Sequence, residues 1–373
     1  MYAIITKFVL AMKSNKEIYL LRLAITTQCI LNCQYCFVKK DNRVISYRTA
    51  KKALDFFLNS LGRQKVLIIY GGEPLLHFDL LKKIIILAQK KARILGKSLI
   101  ISVGTNGILL DQEQLNFFRR TNIKLAVSLD GQREFHNRAR VFKNKKGSFD
   151  SIFKKIPLVT KNIKRENLCV LFGVLPSSVH KMYDNLLFLL SLGFDSINIE
   201  PIQSSLFKWS EKQKKYFKNG LQKFIGYIYK NIRQGNFLFL NTANRELKNH
   251  IISNWHKNTC PFYQNLEVYP DGEMAFSPFL INMANKEQYI IGTINKGLLK
   301  KYKSCHYDLK SKKCKNCWQN YYIERGFGGQ GAEEVLKLRD IYSIYLAKKI
   351  SELSKQEPIF KKYIKEAKKR IFE

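Results

Sequence analysis

The residues of this 373-residue chain that are best suited to chemistry are three cysteines within eight positions, Cys29, Cys33 and Cys36. Three thiolates at this spacing can converge on one soft metal centre, and they leave one coordination position open. A 4Fe–4S cluster normally takes four cysteines, so a cluster held by three has one iron that can bind another molecule. An open position makes a metal catalytic instead of structural. A zinc knuckle or a chance grouping of cysteines is the alternative interpretation.

The cysteine spacing, three residues and then two, and the aromatic Tyr35 directly before the last cysteine resemble the cluster motif of the radical SAM superfamily. In that family the open iron binds the amino and carboxylate groups of S-adenosylmethionine. The resemblance implies that the reduced cluster donates an electron to S-adenosylmethionine, which yields methionine and a 5′-deoxyadenosyl radical. The radical then abstracts a hydrogen from the substrate, while the protein binds, aims and shields the reactants.

A second motif follows the apolar run at 65–70, where the sequence reads Gly71-Gly72-Glu73-Pro74. Paired glycines let a backbone approach a ligand closely, and a carboxylate suits an ammonium group. The segment is similar to the family's Gly-Gly-Glu-Pro motif, whose loop contacts the methionyl amino group of the cofactor. The resemblance assigns that contact to Gly71, Gly72 and Glu73, and an ordinary strand-to-helix turn is the alternative.

Polar residues also close the next apolar runs, in the stretches Thr-Asn106-Gly and Ser128-Leu-Asp130-Gly. Similar stretches in peptide-modifying radical SAM enzymes lie beside the cofactor, where the serine usually reaches the ribose. Arg140 resembles a family arginine that contacts the cofactor carboxylate, and a guanidinium fork suits that partner. A surface charge is the alternative for this arginine. The cofactor-binding residues predicted in this way are Tyr35, Gly71, Gly72, Glu73, Asn106, Ser128, Asp130 and Arg140.

Four further cysteines resemble the SPASM accessory domain, which binds auxiliary iron–sulfur clusters in radical SAM peptide maturases. The match is degenerate, because Ser277 stands where the family has a hairpin cysteine. Four thiolates are enough for one auxiliary 4Fe–4S cluster, while a zinc ion or no metal at all are the alternatives. Pro278 replaces an aspartate that serves some relatives as a base, which disfavours an oxidation of the sulfatase-maturase type. The predicted auxiliary ligands are Cys260, Cys305, Cys314 and Cys317.

These motifs need a scaffold that brings strand ends together, and the sequence supplies one. Apolar runs at 18–26, 65–70, 99–103, 123–129, 168–174 and 196–201 alternate with helical patterns near 48–61, 79–95, 111–120, 149–162 and 179–192. This alternation predicts an α/β fold, a partial (β/α)6 TIM barrel with the reactive strand ends at one rim. An Asp271-Gly272 pair between alternating apolar residues predicts a β-hairpin further on.

The chain divides into five predicted regions. They are an N-terminal extension (1–17), the barrel core (18–205), a helical connector (206–256), the SPASM-like accessory domain (257–330) and a basic helical segment (331–373) that docks on the barrel. Cys169 stands alone in an apolar strand and is interpreted as a small buried hydrophobe.

The net charge of +36, from 65 basic and 29 acidic residues, is compatible with an anionic partner such as nucleic acid. We favour a compositional origin, because the lysines are spread along the whole chain on predicted helix faces. No apolar stretch is long enough for a membrane span, and no signal peptide is recognised. Eight cysteines without a secretory signal indicate metal binding in a reducing, cytoplasmic compartment.

The combined motifs predict an oxidoreductase that matures a ribosomally synthesised precursor peptide by a crosslink or a side-chain oxidation. The expected cofactors are a 4Fe–4S cluster, S-adenosylmethionine and one auxiliary 4Fe–4S cluster or zinc. The expected partners are the peptide or protein substrate, an electron donor such as flavodoxin or ferredoxin, and a separate leader-recognition protein. An RNA-modifying radical enzyme and a non-catalytic metal-binding subunit are the two rival functions.

Overall fold

Strands and helices alternate along the first half of the chain, as the sequence predicts. The structure, a computed structural model, describes residues 17–202, 206–244, 247, 265–275, 290–299 and 332–370. The elements are β1 (Leu20–Thr26), α1 (Tyr47–Leu58), β2 (Gln64–Gly71), α2 (Phe78–Ile94), β3 (Ser98–Thr105), α3 (Gln112–Arg120), β4 (Lys124–Ser128), α4 (Arg133–Asn137), α5 (Phe149–Phe153), α6 (Ile156–Asn162), β5 (Leu168–Val174), α7 (Met182–Ser191) and β6 (Ser196–Pro201). The helix expected at 149–162 is divided into α5 and α6.

The second half adds a long helix, short strands and a helical C-terminal segment. The elements are α8 (Glu211–Arg233), β7 (Phe239–Leu240), β8 (Asn265–Val268), β9 (Glu273–Ala275), β10 (Gly292–Thr293), β11 (Gly297–Leu298), α9 (Ala332–Leu353) and α10 (Pro358–Lys369). Strand β7 was not predicted, because two residues carry no readable periodicity. The hairpin of β8 and β9 around Asp271-Gly272 is confirmed as an antiparallel pair.

All of these strands belong to one open sheet, in the order β11-β10-β9-β8-β1-β2-β3-β4-β5-β6-β7. Strands β1 to β7 run parallel to one another, and β8 lies parallel to β1 on its other side. The sheet does not close on itself, which agrees with a partial barrel. Because the strands are parallel, their C-terminal ends meet at one rim, and the predicted site residues follow these ends.

The two faces of the sheet differ in chemistry. On β1, Leu21, Leu23 and Ile25 are fully buried in the main apolar core together with residues of the covering helices. The alternate position Arg22 points to the other face and is partly exposed. Alternation of this kind is the period-2 signature of a strand with one face packed under helices. The face that carries Arg22 also carries the buried apolar residues Leu20 and Ala24, so it combines polar and apolar groups.

The basic C-terminal segment docks on the barrel, as expected. Phe360 and Tyr363 of α10 are fully buried, and the Tyr363 hydroxyl donates to the carbonyl of Leu238 at 3.0 Å. The guanidinium of Arg370 lies 3.0 Å from the carboxylate of Asp195, and both side chains are about nine-tenths buried. This contact closes the end of the barrel opposite the site.

None of the helices among the described residues is both long enough and apolar enough to cross a membrane.

Asp195→Ala should lower the free energy of unfolding by about 1.5–3 kcal/mol, because it removes a hydrogen bond to a buried charged group. The guanidinium of Arg370 would then keep only the carboxylate of Glu366, at 3.4 Å, as a counter-charge. Chemical denaturation monitored by circular dichroism measures this loss. Glu357→Ala is the matched control, since Glu357 pairs with Arg233, whose side chain is 56% exposed. The control should unfold at the wild-type midpoint. Equal losses in the two variants would show that the buried pair has no special role.

Candidate cofactor site at the rim of the sheet

The three cysteines lie on the loop between β1 and α1, and all three are partly exposed free thiols. The loop is held by a second segment that follows α4. The amide of Asn32 donates to the carbonyl of Val141 at 2.7 Å, and the amide of Gln34 donates to the carbonyl of Ala139 at 3.0 Å. These bonds place Arg140 beside the cysteines.

Burial disfavours the thiolate form of two of the three cysteines. Burial raises the pKa of Cys29 to about 11 and also raises that of Cys33, where Arg140 acts in the opposite direction. Such thiols become ligands when a cationic centre stabilises the thiolate form. Among the described residues, no three His, Cys, Asp or Glu side chains are grouped as they would be around one ion. In the 4Fe–4S cluster that the sequence predicts here, each thiolate would bind a different iron.

The paired glycines after β2 lie directly against the backbone that leads into Cys29. The amide of Gly72 donates to the carbonyl of Thr26, and the amide of Glu73 donates to that of Gln28, both at 2.7 Å. A Cβ atom on Gly71, whose φ is +144°, would lie 2.2 Å from the Thr26 carbonyl oxygen. A Cβ atom on Gly72 would lie 2.0 Å from that of Gln28. Glycine is thus required for the contact between the two loops, while the predicted contact of these glycines with a cofactor stays a prediction.

Glu73 joins the ends of β2 and β3 and is fully buried. Its Oε1 accepts from the amide of Leu75 at 3.0 Å and from the Thr105 hydroxyl at 2.8 Å, and its Oε2 accepts from the amide of Asn106 at 2.8 Å. Burial raises the pKa of Glu73 to about 6, and these hydrogen bonds act in the opposite direction. Glu73 is therefore a brace between strand ends, a role that the sequence did not predict. Asn106 also reaches the site, since its Nδ2 lies 3.9 Å from the Cys29 sulfur.

Asp130 is a second brace, and it is 2% exposed. Its Oδ2 accepts from the Tyr35 hydroxyl and from Nε of Arg140 at 2.9 Å, and its Oδ1 accepts from the amide of Gly173 at 2.9 Å. The Arg140 guanidinium lies over the Tyr35 ring, 5.4 Å from its centroid. Among the described residues, only Nε of this guanidinium makes a side-chain hydrogen bond. Its two terminal nitrogens remain able to receive a carboxylate.

Two residues outside the predicted set, His136 and Ser148, support Asp130 and Arg140 through hydrogen bonds. The amide of Asp130 donates to Nδ1 of His136 at 3.3 Å, so the proton of the neutral ring sits on Nε2 and bonds the Ser148 hydroxyl at 3.0 Å. That hydroxyl donates to the carbonyl of Arg140 at 2.8 Å. Burial lowers the pKa of His136 to about 4, which keeps the ring neutral. The sequence offers one signal for this role, a histidine four residues before Arg140. It does not show which groups the His136 ring bonds.

Ser128 closes β4 at the same rim and is partly exposed. No hydrogen bond of its hydroxyl is found within the described part of the chain, so its predicted contact with a ribose stays a prediction.

Cys169 is fully buried, as interpreted from the sequence, and the Asn241 side chain donates to its sulfur. The predicted auxiliary ligands Cys260, Cys305, Cys314 and Cys317 lie outside the described residues.

Gly72→Ala should displace the loop that leads into Cys29, because its new Cβ would overlap the Gln28 carbonyl. We expect a lower melting temperature and less than half of the wild-type iron bound per chain after anaerobic reconstitution. Gly226→Ala is the matched control, since nothing lies within 4 Å of a Cβ at that helical position. This control should keep its iron and melt at or slightly above the wild-type temperature. Full iron binding by Gly72→Ala would contradict the assigned contact.

Several known proteins resemble this chain in sequence and in fold. The model of the radical SAM superfamily matches residues 23–189. The serine-type anaerobic sulfatase-maturating enzyme of Bacteroides thetaiotaomicron is 34% identical over 157 residues, which are 39% of this chain and 37% of that protein. The cysteine-type enzyme of Clostridium novyi is 28% identical over 145 residues, which are 36% of this chain and 38% of that protein. The chain thus spans less than half of the length of these curated relatives.

Solved structures show the same fold over a longer range. The structure of anSMEcpe with bound AdoMet and Cp18Cys peptide has a TM-score of 0.68 at 17% identity and covers 90% of this chain and 99% of that chain. SuiB of Streptococcus suis bound to S-adenosylmethionine has a TM-score of 0.55 at 17% identity and covers 79% of this chain and 67% of that chain. The predicted α/β architecture is therefore confirmed, and the segment that the radical SAM superfamily model matches includes the cysteine loop.

Proposed function

We propose that this chain is a radical SAM enzyme that modifies a side chain of a peptide or protein substrate. The observation that carries the proposal is the convergence of three rim segments on the cysteine loop. Gly72 and Glu73 bond the backbone before Cys29, Asp130 bonds Tyr35 within the loop, and the backbone around Arg140 pairs with the loop itself. A structural zinc knuckle has no need of this convergence.

The residues at the rim suit the separate polar groups of S-adenosylmethionine. In our proposal Cys29, Cys33 and Cys36 hold a 4Fe–4S cluster, which supplies the electron that cleaves the cofactor. The terminal nitrogens of Arg140 receive the cofactor carboxylate, because Asp130 occupies only Nε and fixes the plane of the fork. Ser128 offers its hydroxyl to the ribose. Gly71, Gly72 and Asn106 line the place of the amino group, with Glu73 behind them.

The substrate class rests on the two sulfatase-maturating enzymes, whose names describe the maturation of a protein. A further relative is the radical SAM cyclopropyl synthase TigE of Paramaledivibacter caminithermalis, which is 20% identical over 142 residues, 33% of this chain and 29% of that protein. We propose a ribosomally synthesised precursor peptide that gains a crosslink or an oxidised side chain. An electron donor such as flavodoxin or ferredoxin, and a separate leader-recognition protein, complete the proposal.

We further propose one auxiliary 4Fe–4S cluster, with zinc as the alternative, on Cys260, Cys305, Cys314 and Cys317. The described hairpin of β8 and β9 supports an accessory domain in this region, since it lies between the first and second of these cysteines. Counting iron, sulfide and zinc in the reconstituted protein separates the two metals.

The central test is a variant in which Cys29, Cys33 and Cys36 are all changed to alanine. With S-adenosylmethionine and dithionite under anaerobic conditions, wild type should release 5′-deoxyadenosine, and the variant should release about a hundredth of that amount or less. Cys169→Ala is the control, because Cys169 is buried below the rim. It should keep wild-type turnover. Release of 5′-deoxyadenosine by the triple variant would refute the assignment of the cluster.

Ser128→Ala should raise the Kd for S-adenosylmethionine by roughly threefold to tenfold, the loss expected for one hydroxyl contact. The melting temperature should not change, since the hydroxyl has no hydrogen bond to lose among the described residues. Equilibrium dialysis on reconstituted protein measures the affinity. An unchanged Kd would remove Ser128 from the cofactor site.

A further inference from the structure

A buried acid from the accessory hairpin lies inside the barrel. Glu267 is on β8, opposite Arg22 of β1 in the parallel pairing, and it is 1% exposed. Its Oε1 accepts a hydrogen bond from the Tyr70 hydroxyl. Its Oε2 is buried and finds no hydrogen-bond partner among the described residues. The carboxyl group is thus only half satisfied.

This arrangement is costly for the fold. Burial raises the pKa of Glu267 well above its ordinary value, while the Tyr70 hydrogen bond and Arg22 act in the opposite direction. A leucine of similar volume would avoid the desolvation of a carboxyl group and the unmade hydrogen bond. Local costs of this kind are typical of residues retained for function.

Tyr70 connects Glu267 to two parts of the candidate cofactor site, the Gly71-Gly72 turn and the cysteine loop. It directly precedes Gly71 and Gly72 at the end of β2, and its ring centroid lies 6.2 Å from that of Phe37, which follows Cys36. The two rings pack on a small buried cluster whose members come from both the barrel and the hairpin. These members are Ala24, Tyr269 and Ala275.

The hairpin is also anchored from outside. The Arg43 guanidinium lies 2.5 Å from the carboxylate of Asp271 in the hairpin turn. The carbonyl of Arg43 accepts from the amide of Thr27 at 2.9 Å, two residues before Cys29. The hairpin therefore contacts the cysteine loop on one side and the Tyr70 ring on the other.

We propose that Glu267 is a positioning residue for the cofactor site, which the accessory hairpin supplies to the barrel. By holding the Tyr70 hydroxyl, it keeps Phe37 and the Gly71-Gly72 turn in the places that S-adenosylmethionine binding requires. This inference rests on the proposed function. It means that the hairpin contributes to cofactor affinity whether or not the auxiliary cysteines carry metal.

Four variants and one control variant of the anaerobically reconstituted 373-residue chain test the proposal. Glu267→Leu and Tyr70→Phe should each raise the Kd for S-adenosylmethionine by about fivefold, as expected for one lost hydrogen bond. The double variant should bind no more weakly than either single variant, because both remove the same contact. Glu267→Gln should stay within about twofold of wild type, since its amide oxygen can still accept from Tyr70. Lys296→Ala, in the exposed turn between β10 and β11, is the control and should match wild type.

Melting temperature and iron content are measured on the same samples. If Glu267 is a positioning residue, Glu267→Leu should bind the cofactor more weakly than wild type. Its melting temperature should be unchanged or higher, and its iron content should be unchanged. The proposal is overturned if Glu267→Leu and Tyr70→Phe bind like wild type, or if their affinity falls only in proportion to stability or iron. Wild type that binds no S-adenosylmethionine would instead refute the proposed function itself.

Discussion

The rest of the site depends on two backbone hydrogen bonds that join the Gly72-Glu73 turn to the segment before Cys29. They require the two backbones to come closer than any side chain at Gly71 or Gly72 permits. Both chains leave neighbouring parallel strands at the same rim, so the sheet brings them together and the glycines let them touch. The position of the first cysteine is thereby set by the register of β1 and β2 and not by the loop alone.

The two buried carboxylates extend this constraint around the rim. Glu73 joins the end of β2 to the end of β3, and Asp130 joins the end of β4 to the cysteine loop and to Gly173 on β5. The oxygens of both carboxylates accept hydrogen bonds from donors within the protein, so neither carboxylate is free to act as a simple surface ligand. In the proposed function their effect is preorganisation, because Arg140 and Ser128 would be held in place before the cofactor binds.

The sequence predicted the barrel well because its signals are local. Alternating apolar runs and helical patterns identified β5 and β6 with their observed ends, and the Asp271-Gly272 pair identified the hairpin. Residue types at strand ends also identified which side chains meet at the rim, because parallel strands share that rim. The bonding partners were not readable, since they join residues far apart in sequence. Asp130 and Gly173, or Tyr70 and Glu267, are linked only once strand order and register are known.

The same reasoning explains why the accessory hairpin has a defined place. Strand β8 continues the barrel sheet beside β1, and Leu266 and Val268 are buried in the main apolar core. Its position is therefore fixed by backbone hydrogen bonds and apolar burial, which act without any metal on the neighbouring cysteines. The hairpin can therefore keep its place against the barrel whether or not the neighbouring cysteines carry metal. In our proposal such a hairpin contributes its shape and the hydrogen bond from Tyr70 to Glu267 to the site.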